Sequence, residues 1–155
     1  MRRHDPRRVE EYVAAGWWSP DPARTWDELL RAHAATRPHA TAVVDPANRA
    51  DLLATPPRRL TWAELDAEVE GLAARLAGHG VGVDDVVGTQ LPNSVELVLG
   101  YLALARLGAI VCPFPTAYRE HELCTLAPVA GLTAMLTFAT CLLYTSPSPR
   151  DATLS

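Results

Sequence analysis

Residues 83–115 read VDDVVGTQLPNSVELVLGYLALARLGAIVCPFP, and the order of the parts in this stretch decides the fold. Residues 86–91 form a short apolar run rich in β-branched side chains, which reads as a strand. Pro92-Asn93-Ser94 is a turn, and Asn93 with Glu96 three residues later reads as the cap of a helix. That helix runs to about Leu107, where Gly108 supplies the left-handed end. Residues 109–112 are the next strand, stopped by Pro113 and Pro115. Strand, helix, strand is the crossover unit of a parallel sheet, because parallel neighbours need a long connection.

Working outward, the same grammar repeats. Thr25 and Glu28 make a capping box, in which each side chain bonds the other's backbone N–H. Trp26, Leu29, Leu30 and His33 then fall on one helical face, and Arg37-Pro38 closes the helix. Residues 42–44 are a short strand. The polar, proline-containing stretch 45–57 reads as a loop leading to a partner strand at Arg59-Leu60. Thr61 and Glu64 form a second capping box, opening a helix whose Leu65, Val69, Leu72 and Leu76 make an apolar stripe. Gly78 or Gly80 ends it. A weaker helix over 119–126 and a strand over 134–138 complete the series. The sequence therefore predicts an α/β fold, a layered αβα arrangement around a mainly parallel sheet.

Composition narrows the function. At 155 residues, with 48% hydrophobic and 21% charged, the chain reads as one globular unit. A net charge of −4 gives no electrostatic case for nucleic acid, which needs a concentrated basic face. The one basic cluster, Arg2, Arg3, Arg7 and Arg8, reads as a solvated, frayed N-terminus. All basic residues are arginines, so no lysine here can form a Schiff base or contact a phosphate. Cys112, Cys124 and Cys141 are odd in number and too widely spaced for a metal or redox pair, which favours a reducing compartment. Met1 is followed by charged residues rather than by an apolar core, and the apolar run near residues 95–107 is interrupted by Glu96 and Arg106. Neither a leader nor a membrane partner is expected, and a cytoplasmic location is.

Several phrases, taken in order, resemble one family. Gly16-Trp17-Trp18 followed by residues 25–30 is similar to the N-terminal approach of aryl-acid and acyl ligases. Leu60-Thr61-Trp62-Ala63-Glu64-Leu65 resembles the family's first conserved segment. Residues 86–93 are similar to the strand before its Pro-Asn-Ser turn. Residues 104–113 look like the second conserved segment, where a helix ends at Leu-Gly-Ala before a strand and a proline. Tyr118 to Leu123 is similar to the helix that follows. Together these cover roughly residues 10–138 of the AMP-forming, acyl-CoA synthetase-like ligases. Asp84-Asp85 stands where that family more often has Gly-Asp, a change a loop tolerates.

The resemblance implies chemistry. Such ligases join ATP and a carboxylic acid into an acyl-adenylate with Mg2+, then pass the acyl group to coenzyme A or a carrier-protein thiol. The family uses a Gly/Ser/Thr-rich phosphate loop, an acidic ribose clamp and a C-terminal lysine for this, and residues 1–138 contain no counterpart. No catalytic, cofactor-binding or metal-ligating residue is therefore assigned. Residues 1–139 are read as the N-terminal portion of the adenylation domain, and the truncated chain is expected to be inactive. The acid would be aryl or fatty, and the Gly-Trp-Trp opening leans towards aryl-acid activation or a related acyl-CoA ligase.

The segment Leu143-Tyr144-Thr145-Ser146-Pro147-Ser148-Pro149-Arg150 imitates the family's phosphate loop, but its chemistry is wrong. Glycines in that loop let backbone N–H groups cradle phosphate oxygens, whereas Pro147 has no N–H and a locked dihedral. Residues 140–151 instead resemble a translated sequencing-adapter read-through, so residues 140–155 are expected to be a non-native, disordered tail.

His33, His39, His79 and His121 lack a carboxylate or serine partner in a catalytic arrangement and read as helix-face or cap residues. Cys112 reads as a buried structural thiol, and Trp17 and Trp18 as packing anchors. Gly78, Gly80 and Gly82 follow a helix and precede a strand, the reverse of a dinucleotide loop. Two other readings stay open at this point: a self-contained flavodoxin-like binding module, and a non-catalytic interaction protein derived from a ligase.

Overall fold

A computed structural model of the chain describes residues 6–17 and 25–138. In chain order the elements are α1 (Pro6–Ala14), α2 (Trp26–Thr36), β1 (Thr41–Val44), α3 (Arg49–Leu53), β2 (Arg59–Thr61) and α4 (Trp62–Gly78). There follow β3 (Val86–Gln90), α5 (Val95–Leu107), β4 (Ile110–Pro113), α6 (Glu120–Ala130) and β5 (Ala134–Thr137). Strands β1 and β2 pair antiparallel, while β3, β4 and β5 form a parallel sheet in the order β4-β3-β5.

Both capping boxes form as the sequence predicts. The Thr25 hydroxyl accepts from the Glu28 N–H at 3.1 Å, and the Glu28 carboxylate accepts from the Thr25 N–H at 2.7 Å. Thr61 and Glu64 repeat the exchange at the start of α4. Gly108 ends α5 with φ +70°, and Gly80 turns the chain after α4 with φ +87°. α5 carries the chain from β3 to β4 on one side, and α6 carries it back across β3 to β5 on the other.

The core lies between the sheet and the pair α4–α5. Leu65, Val69, Ala73 and Leu76 of α4 meet Leu99, Ala103 and Leu104 of α5, over Val87 and Leu136 from the sheet. Each such aliphatic side chain contributes roughly 1.5–3 kcal/mol by leaving water. Gly100 sets the distance of approach, since a Cβ there would stand 2.8 Å from Leu136 Cδ2. Gly88 and Met135 point to the opposite face, where Leu132 and Phe114 from the segments flanking α6 cover them.

Four expectations need correction. The stretch 45–57 is not a plain loop, because residues 49–53 wind into α3. Residues 6–14 are helical, so the frayed reading of the N-terminus fails for Arg8; Arg2 and Arg3 lie outside the described residues. Trp17 is not a buried anchor: it is 78% exposed, with its ring centroid 5.9 Å from that of Tyr12; Trp18 lies outside the described residues. The α2 stripe buries Leu30 alone, with Trp26 and Leu29 largely exposed. Ions rather than apolar contacts hold much of that helix.

Candidate functional site

In a parallel sheet of this kind, ligands bind beyond the carboxyl ends of the strands, where successive crossovers leave in opposite directions. Here that point falls between β3 and β5. A half-open cleft of about 560 Å³ lies there. Its apolar floor comes from Leu72, Leu91, Leu99, Leu136 and Phe138, and its polar wall from Arg58, Glu68, Arg75 and Glu96.

The wall is one end of a charge network that the sequence did not reveal. Asp45, completely buried, accepts from the Val95 N–H at 2.7 Å through Oδ1. Its Oδ2 accepts from the Arg49 guanidinium at 2.6 Å and from the Arg58 N–H at 2.9 Å. Arg49 in turn forks onto Glu96, at 2.7 and 2.9 Å, and donates to the Thr55 hydroxyl at 3.1 Å. Arg58 bridges Glu96, at 3.2 Å, and both oxygens of Glu68, at 2.6 and 2.7 Å. Planar guanidinium and carboxylate groups match each other at two points, which fixes orientation as well as distance.

The energetics follow from burial. Removal from water pushes the Glu96 carboxyl up, but the Arg49 hydrogen bonds, its own backbone N–H and Arg58 outweigh that and bring it from the usual 4.5 to about 2. Glu96 raises the pKa of Arg49, and Glu68 that of Arg58, chiefly through hydrogen bonds to the charged forms. Asp45, Glu68 and Glu96 outnumber Arg49 and Arg58 by one charge, which the positive N-terminal end of α5 offsets.

This arrangement decides what the strand–turn–helix unit can do. A helix N-terminus at the carboxyl edge of a sheet is the usual seat of a phosphate. Here the Val95 N–H is already bonded to a buried carboxylate, and Glu96 adds a second negative charge beside it. Asn93 is not the cap; Ser94 occupies that position without a side-chain cap bond, and Asp45 performs the task from a distant loop. A triphosphate would meet acceptors and like charge. The unit does not fit ATP.

The residues weighed in the sequence lie apart from the cleft. His33 packs against Trp62, the rings tilted by 49° with centroids 4.6 Å apart, and lies against Arg37. His39, His79 and His121 are exposed. Cys112 is half-buried on β4 rather than fully enclosed, Cys124 is exposed, and Cys141 lies outside the described residues. Among the described residues no helix is long and apolar enough to cross a membrane. Asp45, Arg49, Arg58 and Glu68 are the members that sequence reasoning missed. The one available signal was the Asp-Pro-Ala-Asn-Arg run opening a supposed loop, an acidic turn followed four residues later by arginine.

The site is thus a parallel strand–helix–strand unit whose helix N-terminus is closed by protein carboxylates. Residues 30–154 match the family described as AMP-binding enzyme, and the chain belongs to that family. It is 35% identical over 129 residues to the salicyl-AMP ligase / salicyl-S-ArCP synthetase of Mycobacterium tuberculosis, which covers 83% of this chain and 21% of that protein. It is 39% identical over 87 residues to a 4-chlorobenzoate–CoA ligase from an Arthrobacter species, over 56% of this chain and 15% of that protein. Among solved structures, apo MbtA of Mycobacterium smegmatis aligns with a TM-score of 0.65 at 32% identity, covering 87% of this chain and 23% of that one. The Klebsiella oxytoca NpsA N-terminal subdomain in complex with anthranilyl-AMSN aligns with a TM-score of 0.64 at 20% identity, over 77% of this chain and 29% of that one, a likeness of fold alone. The chain thus spans about a fifth of the length of the first relative.

Proposed function

We propose that this chain is the N-terminal scaffold of an AMP-forming ligase, which activates a carboxylic acid as its adenylate and passes the acyl group to a thiol. The observation that carries the reading is the family match together with 35% identity to a salicyl-AMP ligase across the described fold. The relatives named for salicylate and 4-chlorobenzoate support an aryl acid as substrate, and coenzyme A or a carrier protein as acceptor. ATP and Mg2+ would be held by other segments of the enzyme, a reading supported by the buried Asp45 carboxylate that already takes the Val95 N–H at the start of α5. The residues described here orient rather than react: the Asp45 network fixes the 92–94 turn against the β1–β2 hairpin, and α4 and α5 hold the sheet.

On this reading residues 140–155 are a read-through tail, although the family match runs over them to residue 154. Two experiments bear on the proposal. The purified chain should show no ATP–pyrophosphate exchange with any aryl acid, and measurable exchange would overturn the scaffold reading. Grafting residues 25–138 in place of the matching segment of a complete salicyl-AMP ligase should preserve exchange. A folded but inactive graft would favour the self-contained module or the interaction protein instead.

A further inference from the structure

A second cavity, of about 550 Å³, opens at the carboxyl ends of β3 and β4, apart from the cleft described above. Leu97 and Tyr101 of α5 form one wall, and Pro113 and Phe114 the other, with Thr89 of β3 and Leu91 among the residues that complete the lining. Every lining residue is uncharged. That sets it apart from the first cleft, whose wall carries two arginines and two glutamates.

The Thr89 side chain is the unusual part of this site. Thr89 is 1% exposed, and its hydroxyl finds no hydrogen-bond partner among the described residues. A buried hydroxyl without a partner is costly, and a bound molecule that supplies one relieves that cost. The wall facing it is pre-organised. The Gln90 amide donates to the carbonyls of Pro115 and Tyr118, at 3.0 and 2.9 Å, and the Phe114 N–H donates to the Thr89 carbonyl at 2.8 Å. The Phe114 and Tyr118 rings meet edge to face at 6.4 Å. The segment after β4 is therefore tied down, and the cavity does not depend on a mobile loop.

We propose that this cavity binds a small neutral ring compound whose single polar group hydrogen-bonds the Thr89 hydroxyl. Uncharged walls disfavour a carboxylate or a nucleotide, for which burial without a counter-charge is expensive. Aliphatic, proline and aromatic surfaces suit the faces of a ring. The inference stands whether or not the ligase reading holds.

The test uses the full chain with benzyl alcohol, toluene and benzoate as probes, followed by chemical-shift changes at Thr89, Tyr101 and Phe114. Benzyl alcohol should bind at these residues, more tightly than toluene, with benzoate weaker than both. Thr89→Val, which keeps shape and removes the hydroxyl, should weaken benzyl alcohol roughly three- to tenfold and leave toluene unchanged, the loss expected of one uncharged hydrogen bond. Thr116→Trp, at the exposed rim, should exclude both neutral probes without touching the core. No shift at these residues with any neutral probe overturns the proposal and leaves the hydroxyl to solvent or to the chain's own undescribed residues. Equal affinity for benzoate, or an unchanged preference for benzyl alcohol over toluene in Thr89→Val, overturns it as well.

Discussion

Asp45 caps the α5 helix from fifty residues away: its Oδ1 accepts the Val95 N–H at 2.7 Å while Oδ2 holds the Arg49 guanidinium. One carboxylate thereby joins the end of β1 to the turn that follows β3. Asp45→Ala removes the cap and leaves half the counter-charge of a buried arginine, so a loss of about 3 kcal/mol is expected. Asp45→Asn keeps an acceptor for Val95 but turns its amide N–H groups towards the Arg49 and Arg58 donors, so it should cost only somewhat less. Urea unfolding of the two variants checks the order. Equal losses would mean that the Val95 cap matters little and that the charge facing Arg49 carries the effect.

Glu96 makes stability depend on acid. Its carboxyl is held at about 2 in the folded chain, against 4.5 in the unfolded one, so the unfolded state binds a proton first as pH falls. The stabilisation is complete above the unfolded value and is lost between about pH 4.5 and pH 2. Allowing for solvent screening of a partly exposed group, it amounts to about 2 kcal/mol. Glu96→Gln should flatten the stability curve across that window by one proton, measured by urea unfolding at steps of pH. An unchanged slope would assign the acid sensitivity elsewhere.

Much of the framework was legible because its causes are local. The pairs Thr25–Glu28 and Thr61–Glu64 satisfy helix N-termini within three residues, and Gly108 turns the chain where it stands. What was not legible is long-range or short-lived in sequence. The Asp45–Val95 bond spans fifty positions, and nothing near Asn93 shows that a remote carboxylate has displaced it as the cap. Helix α3 has five residues, too few to show a period. In α2 the apolar pattern was real, but Asp27 and Arg31 placed ion pairs where burial was expected. The candidate cleft escaped notice for the same reason, since Arg58, Glu68 and Glu96 come from three separate elements.

Two glycines should respond in opposite directions. Gly108 has φ +70°, and a Cβ there would stand 3.2 Å from Val83 Cγ2. Gly108→Ala should therefore cost about 1–2 kcal/mol, from the left-handed backbone and the contact together. Gly71 lies in the exposed face of α4 with nothing within 4 Å of a Cβ, so Gly71→Ala should stabilise by roughly 0.5–1 kcal/mol. Thermal unfolding of both variants decides. A stabilised Gly108→Ala would show that the α5 end is not held as described.

Arg106 fastens three helices. From the last turn of α5 its guanidinium reaches Asp27 of α2 at 2.6 Å, Glu70 of α4 at 2.9 Å and Asp66 of α4, while only 7% of its side chain is exposed. Burial pushes the Asp27 carboxyl up, but hydrogen bonds from Arg31 and Arg106 more than reverse this and hold it below its usual value. A carboxyl depressed in the fold stabilises above its unfolded pKa, and that contribution fades as pH falls below 3.8. Arg106→Met keeps the apolar stem and strips the charge, leaving three carboxylates near one another. We expect a loss of about 1–2 kcal/mol, larger at low ionic strength, where screening is weakest. The Asp27 carboxyl should titrate at higher pH in the variant, and α2 amides should exchange faster while those of β3 do not. Unaltered titration of Asp27 would show that Arg31 alone sets its charge, and that α2 is held by Leu30 and the His33–Trp62 contact instead.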